Sequence, residues 1–247
     1  MNTSEFDKEF DILYDNIASN GAPGLNKYEK SIFLTKAQDE LIKSRYSPYN
    51  KTQKSFETSE NRRIELKELI KSYSTISHFT STLSIDDNSK FITIPDDVYY
   101  IIQEELKVSS SDTCVNGTKL KVIPTTHDEY STQKDSPFRK PNKRKAWRMD
   151  VSSINGNKVV EIITPYIPFK YKMRYIKEPK PIILSNFESD PELTGLGLTI
   201  NNLNTITECE LNSEIHRNII DRAVELAIRS YRENSLQSNV ELNQRNV

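Results

Sequence analysis

The stretch FKYKMRY, residues 169–175, alternates apolar and basic side chains at every position. A period of two is the pattern of a β-strand with one buried and one solvated face, because successive side chains point to opposite sides of a sheet. The stretch therefore predicts the clearest strand of the chain. Its apolar side comprises Phe169, Tyr171, Met173 and Tyr175, and its basic side comprises Lys170, Lys172 and Arg174.

Shorter strands are predicted before this stretch, at residues 91–94, 119–123 and 158–163. The last of them follows Asn-Gly at residues 155–156, which is a hairpin signal because both residues accept positive φ. The middle of the chain is therefore expected to form an antiparallel sheet.

One short helix is predicted within this region, near residues 95–107. The sequence Pro-Asp-Asp at residues 95–97 is typical of a helix start, since proline lacks an N–H that would be unpaired there and carboxylates suit the helix dipole. On such a helix, Glu104 and Glu105 would lie on a solvated surface.

Both ends of the chain show apolar side chains at the 3–4-residue spacing of amphipathic helices. The N-terminal third predicts three helices, near residues 6–17, 26–41 and 58–73, and a last helix is predicted near residues 213–233. Because the apolar stripe of the last helix needs a partner, we expect this helix to return to the N-terminal ones.

The expected fold class is α+β: an α-helical bundle formed by the N-terminal helices and the C-terminal helix, with an inserted antiparallel β domain. The bundle would use residues 1–75 and the returning helix at 206–233, and the β insertion would span 76–205. Residues 234–247 are polar and Asn-rich, which predicts a flexible docking tail that orders on binding.

The charge balance argues against a general attraction to nucleic acid or membrane. The chain has 34 basic and 35 acidic residues among 247, and its formal net charge is −1. A nearly neutral chain has little long-range electrostatic attraction to a charged partner. No apolar run reaches the roughly 18 residues needed to span a bilayer. A mean hydropathy of −0.66 with 35% hydrophobic residues favours a protein that completes its burial against neighbouring subunits.

Synthesis in a reducing cytoplasm is expected. The first residues are acidic and amphipathic, unlike a secretory signal. Cys114 and Cys209 are 95 positions apart and lack a CxxC partner, which is typical of buried thiols in a reducing compartment.

Catalytic and cofactor motifs are absent from the sequence. His78, His127 and His216 lie far apart, without the spacing of metal ligands. There is no nucleophile elbow, Walker A loop or dinucleotide-binding glycine motif. We therefore expect a protein that is not an enzyme and needs no metal or cofactor.

A basic segment at residues 138–148 is the most distinctive charge pattern, and it is predicted to be a partner-docking or DNA-channel surface. It contains Arg139, Lys140, Lys143, Arg144, Lys145 and Arg148, together with the aromatic residues Phe138 and Trp147. Three interpretations remain open: a solvated loop, an arm that binds an acidic neighbouring subunit, or a segment that contacts nucleic-acid phosphates and stacks on bases. The basic side of residues 169–175 supports the last.

Several segments resemble head-to-tail connector proteins of short-tailed phages, in particular the crAss-like phages of gut bacteria. They lie at residues 20–25, 28–38, 91–97, 136–142, 146–148 and 174–182, and the last helix from residue 209 onward matches in position. The chain is also similar to the tail tubular protein family, in which a helical bundle holds a β domain.

This resemblance implies a homo-oligomeric virion ring, of twelve copies, seated between the portal protein and other neck and tail proteins. Genomic DNA would cross its lumen without specific binding, and no membrane would be involved. The resemblance also implies that the tail docks on the portal through Asn234, Leu236, Val240, Leu242 and Val247. The alternatives are a nucleic-acid-binding protein that uses residues 138–148 and a different ring or tail component of the same virion.

Overall fold

A computed structural model describes residues 1–18, 24–47, 56–191 and 193–231. The chain divides into two compact units. The terminal unit comprises Met1–Leu69 and Pro179–Val247, and the sheet unit comprises Ile70–Glu178. The fold class is α+β. Among the described helices, none combines the length and the apolar composition that crossing a bilayer requires.

The terminal unit contains four of the described helices, which are α1 (Thr3–Ala18), α2 (Lys27–Tyr46), α3 (Glu60–Glu65) and α5 (His216–Tyr231). A capping box begins α2: the Asn26 side chain accepts the Glu29 N–H, and the Glu29 carboxylate accepts the Asn26 N–H, each at 2.9 Å. The last helix packs against both α1 and α2. Ile219 and Ala223 of its apolar stripe are fully buried.

The helix predicted at residues 58–73 is only partly correct. It ends in a 3-10 turn at Lys67–Leu69, and strand β1 (Ile70–Thr75) follows. The apolar spacing continues past Leu69, but this serine- and threonine-rich stretch favours extended backbone and finds a partner strand at the edge of the sheet.

Seven strands of the sheet unit form one sheet in the order β1-β7-β3-β4-β5-β6-β2. After β1 they are β2 (Ser89–Thr93), β3 (Val98–Ser109), β4 (Lys119–Pro124), β5 (Lys145–Asp150), β6 (Val159–Ile163) and β7 (Ile167–Lys177).

The sheet is mixed, whereas the sequence led us to expect an antiparallel one. Strands β4 and β5 pair in parallel, and the other neighbours are antiparallel. Residues 125–144 carry the chain back to the starting end of β4 and include helix α4 (His127–Gln133). A crossover of this length permits parallel pairing, which a tight turn cannot.

The helix expected near residues 95–107 was a wrong prediction, since these residues enter β3. Tertiary pairing overrides the local start signal, because β3 lies between β7 and β4 and its first residues are β-branched and aromatic. The Asp97 carboxylate accepts hydrogen bonds from Lys71 Nζ at 2.8 Å and the Tyr175 hydroxyl at 2.9 Å. It therefore joins β1 and β7 at a turn and does not cap a helix.

The turn at Asn155-Gly156 is confirmed, with φ of 52° and 81°, and it lies between the antiparallel strands β5 and β6. One face of the sheet, which we call the apolar face, carries the core of this unit. Its buried members include Leu106, Leu120, Val122, Ile162, Tyr171 and Met173.

Residues 179–205, expected in the β insertion, belong to the terminal unit. The backbone N–H groups of Ile182 and Leu184 donate to Thr35 Oγ1 and Ser31 Oγ on α2, both at 3.1 Å. Between them, Ile183 forms an antiparallel bridge with Thr207. The α2 hydroxyls accept the N–H groups on the other side of this extended segment, so the segment stays with the helices.

The two cysteines differ in exposure. Cys114 is exposed, contrary to the expectation of a buried thiol, because it lies in the loop between β3 and β4. Cys209 is half-buried, and burial raises the pKa of its thiol to about 11. Its thiol is therefore protonated at neutral pH.

Candidate interaction surface

Strand β7 has the alternation expected for residues 169–175, with one exception. Tyr171, Met173 and Tyr175 are buried, while Lys172 and Arg174 are exposed. Phe169 was expected on the apolar side but is 53% exposed. A register shift beside Lys107 leaves Phe169 as the extra residue of a bulge, and its ring lies 5.6 Å from Lys107 Nζ.

The basic side chains of β7 share their face of the sheet with those of two neighbouring strands. Lys170 lies opposite Lys107 on β3, and Lys107 lies opposite Lys119 on β4. Farther along, Lys121 on β4 lies beside Lys145 on the parallel strand β5. The register therefore collects seven cations on one face, which we call the basic face: Lys107, Lys119, Lys121, Lys145, Lys170, Lys172 and Arg174.

One carboxylate, Glu105, stands among these cations, 3.3 Å from Lys119 Nζ. Within the described part of the chain, Lys121, Lys172 and Arg174 have no carboxylate within ion-pair distance. These cations are therefore available to an external anion.

The basic face is concave beside β1. A groove of about 590 Å³ opens there and extends across four strands. Its polar lining comprises Ser72 and Ser74 of β1, Lys172 and Arg174 of β7, Gln103 and Glu105 of β3, and Lys119 of β4. Its lining is mainly polar, which suits a charged partner better than an apolar ligand.

The basic segment 138–148 divides into an exposed half and a buried half. Phe138 is 88% exposed, and Arg139, Lys140, Lys143 and Arg144 are exposed as well. The Arg144 carbonyl accepts the Lys121 N–H at 3.0 Å, which joins the segment to β4. Sequence reasoning treated the segment and the β7 lysines as two separate sets, but β3 and β4 connect them into one basic surface.

Trp147 is only 4% exposed, so the expectation of an accessible aromatic anchor at this position is wrong. Its indole packs edge-on against Tyr130 of α4, with ring centroids 6.1 Å apart, and it shares a small core with Met149 and Ile163. Alternation along β5 aims Trp147 at the same side of the sheet as Lys145, but there α4 covers it.

Arg148 is also buried, on the apolar face, and is therefore not available to a partner. Its Nη1 donates to Glu104 Oε2 at 2.7 Å, and the Tyr171 hydroxyl donates to the other oxygen of the same carboxylate. Burial raises the pKa values of both Glu104 and Tyr171 above their ordinary values. The expectation that Glu104 is solvated was wrong, because it followed from the incorrect helix prediction.

The remaining expectations have separate outcomes. The tail residues Asn234, Leu236, Val240, Leu242 and Val247 lie outside the described residues.

The described residues contain no group of three or more His, Cys, Asp or Glu side chains that could hold a metal ion. His216 is a core residue: burial lowers its pKa, and its Nε2 lies 2.9 Å from the Leu211 carbonyl oxygen.

Two signals in the sequence could have completed the basic face. The stretch Lys119-Leu120-Lys121-Val122 alternates as β7 does. Lys107 and Glu105 follow the same period along residues 103–108, but the helix prediction obscured it.

Comparison with known proteins identifies the relatives of this chain. Residues 1–239 match the family described as phage tail ring protein 3/4. The chain is 40% identical over 248 residues to ring protein 4/5 of Bacteroides phage crAss001, covering 99% of both chains. It is 38% identical over 230 residues to ring protein 3 of the same phage, covering 92% of this chain and 95% of the relative. The resemblance to crAss-like phage ring proteins is thereby confirmed, and the chain belongs to the phage tail ring protein 3/4 family.

Proposed function

We propose that this structural tail ring component is a head-to-tail adaptor, assembled as a ring of twelve copies between the portal and the tail. It would be made in the host cytoplasm and reside in the neck of the virion. The observation that carries the proposal is the match to ring proteins over almost the whole chain, which covers both compact units.

The proposed architecture is a helical bundle from both chain ends that carries the sheet unit as an insertion. In this arrangement the terminal unit and the tail at residues 234–247 meet the portal, and the sheet unit meets the next neck or tail protein. The packing of α5 against α1 and α2 supports a bundle built from both ends.

Genomic DNA would pass through the lumen without specific binding. A channel must let DNA slide, and lysine and arginine contacts to phosphates are independent of sequence, so they suit passage better than base contacts do. No catalytic step and no cofactor are needed for this role.

The test is quantitative mass spectrometry of purified virions, with the portal protein as internal standard. We expect a one-to-one copy ratio to the portal, followed by a ring at the neck in electron cryomicroscopy. Absence of the chain from the particle, or a copy number far below that of the portal, would contradict the adaptor function.

A different ring of the same neck is a second candidate. Two differently numbered ring proteins of one phage are both about as similar to this chain, at 40% and 38% identity. Imaging of the neck distinguishes the two: an adaptor contacts the portal, whereas another ring is separated from it by an intervening protein.

A nucleic-acid-binding protein is a third candidate, and the basic face supports it. If all seven cations contacted phosphates, the slope of log K against log salt would be about −6 on duplex DNA. The buried position of Trp147 removes the stacking residue that this interpretation used. Fluorescence anisotropy with a DNA duplex across salt concentrations tests it, and the adaptor function predicts weak binding at physiological salt.

A further inference from the structure

We propose that the basic face of one copy docks on the acidic outer side of α1 in the neighbouring copy of this chain. This contact rests on the proposed ring and names the surfaces that hold it together.

The cations on the basic face lie close enough together that an external anion would reduce their mutual repulsion. Lys107 lies directly across from both Lys119 and Lys170, and Lys121 lies beside Lys145. Like charges opposite one another on neighbouring strands destabilise a sheet. Two of these pairs lie on antiparallel strands and one on parallel strands, and Glu105, opposite both Lys121 and Lys172, is the one carboxylate among them. A negatively charged surface that covers this face relieves the repulsion that remains.

The negative charge that fits this face is present on the chain itself. The sheet unit has 17 basic and 13 acidic residues, so its formal charge is +4, while the terminal unit has 17 basic and 22 acidic residues and a formal charge of −5. Opposite charges on the two units make copies attractive to one another even though the whole chain is nearly neutral.

Helix α1 concentrates the negative charge of the terminal unit. It contains five acidic residues and one lysine. Asp7 and Asp11 pair with Lys30, whereas Glu9 and Asp15 have no ion pair in the part of the chain that the structure describes. At 3.6 residues per turn, Glu9 and Asp15 are the i−3 and i+3 neighbours of Ile12, which is 60% exposed, and Lys8 and Asn16 are its i−4 and i+4 neighbours. In the proposed contact Glu9 and Asp15 supply the negative charge, and Ile12 supplies apolar contact area between them.

A neighbouring copy explains more of these features than DNA does. DNA phosphates would account for the basic face but not for the acidic side of α1. A ring requires a heterologous contact, in which each copy presents two different surfaces to its two neighbours. The basic face repels a second basic face, which disfavours a contact between two like faces, and the proposed ring then requires the head-to-tail arrangement.

Charge reversal in full-length chains tests this contact. One variant changes the basic face with Lys170→Glu, Lys172→Glu and Arg174→Glu, a second changes α1 with Glu9→Lys and Asp15→Lys, and a third combines all five. Each is supplied from a plasmid to a phage that lacks the gene, and its copies per purified virion are measured against the portal. We expect about tenfold or greater loss for each of the first two variants.

The combined variant decides between the occupants. With both surfaces reversed, the contact between copies is again complementary, and incorporation should return to within about threefold of the unchanged chain. If DNA or another partner occupies the basic face, the combined variant stays as defective as the first. Recovery supports the contact; failure to recover, or normal incorporation of either single-surface variant, overturns it.

A matched control separates the contact from general charge effects. Lys36→Glu, Lys43→Glu and Arg217→Glu alter three exposed cations of the terminal unit and change the net charge as much as the basic-face variant does. This control should be incorporated normally. Circular dichroism of each purified chain verifies folding.

Carbodiimide coupling in unmodified virions provides a test without variants. We expect zero-length links from Lys119, Lys121, Lys170 or Lys172 to the α1 carboxylates in particles but not in the isolated chain. If other cross-links form in the particles but none joins these lysines to the α1 carboxylates, the proposed contact is wrong. If the unchanged chain is itself missing from virions, the proposed function fails, whereas an unrestored combined variant alone refutes only this contact.

Discussion

At the residue scale, the buried ion pair between Glu104 and Arg148 makes the stability of the chain sensitive to the loss of either partner. Their side chains are 4% and 10% exposed, and the Tyr171 hydroxyl donates to the same carboxylate. A buried pair of this kind contributes little compared with well-packed apolar residues, but removing one partner leaves an uncompensated charge.

We expect Arg148→Ala to lower the free energy of unfolding by about 3–5 kcal/mol, because it leaves Glu104 buried without its cation. The double variant Glu104→Leu with Arg148→Met should recover most of this loss, since no charge remains. Urea unfolding of the full chain measures both. A loss below about 1 kcal/mol for the single variant would mean that water reaches Glu104.

Acid sensitivity is predicted at Asp97. Burial alone would raise its pKa, but hydrogen bonds from Lys71 and Tyr175 and the charges of Lys71 and Lys177 outweigh burial, so the pKa lies below its ordinary value of 3.8. A carboxylate with a lowered pKa adds stability above its unfolded-state pKa and loses it as the pH falls through the folded-state pKa.

The stability advantage of the unchanged chain over Asp97→Asn should therefore be full at pH 6 and shrink as the pH falls below 3.8. Unfolding curves at pH 6 and pH 3 measure this difference. Because Asp97 and Lys71 are both partly exposed, the effect is smaller than for a buried pair. A difference that does not change between the two pH values would show that Asp97 is not ionised in these contacts.

At the scale of elements, neighbouring residues determine where helix α2 begins, whereas pairing with other strands determines that residues 98–109 form a strand. The capping box at Asn26 and Glu29 needs only four consecutive residues, and the helix predicted from about residue 26 does begin there. Residues 98–109 have a helix-start signal before them, yet they pair with two strands far along the chain. Contacts at long sequence separation are invisible to a local pattern.

Substitution Asn26→Ala should destabilise the terminal unit by about 1 kcal/mol, because the Glu29 N–H at the start of α2 loses the side-chain oxygen that accepts it. Asn26→Ser is the matched control and should retain most of the stability, since serine also caps helices. Thermal unfolding monitored by helical circular dichroism measures both. Equal losses for the two variants would contradict a role for the side-chain cap.

At the scale of the whole molecule, the sheet unit has adjacent ends. Ile70 at the start of β1 pairs with Ile176 near the end of β7. A segment whose ends meet in one sheet, with its own core, satisfies the conditions for folding alone.

We expect residues 70–178 to fold by themselves and to unfold cooperatively on heating. Residues 76–205 are the matched control, because these boundaries remove β1, expose the edge of β7 and add a segment that needs α2. That fragment should be markedly less stable or aggregate. Calorimetry and a proton–nitrogen correlation spectrum of both fragments provide the comparison. If only 76–205 folds, the division into units is wrong.

The sequence by itself determined the features that depend on neighbouring residues: the α+β class, the amphipathic ends, the alternation of residues 169–175 and the turn at residues 155–156. The sequence also identified the family, because it is similar to ring proteins along nearly the whole chain.

Only the tertiary structure decided that Trp147 and Arg148 are buried, that β4 and β5 run in parallel, and that two separate sets of basic residues form one face. The physical reason is strand register. A shift of one residue turns every side chain to the opposite face, and register depends on partners that are distant in the sequence.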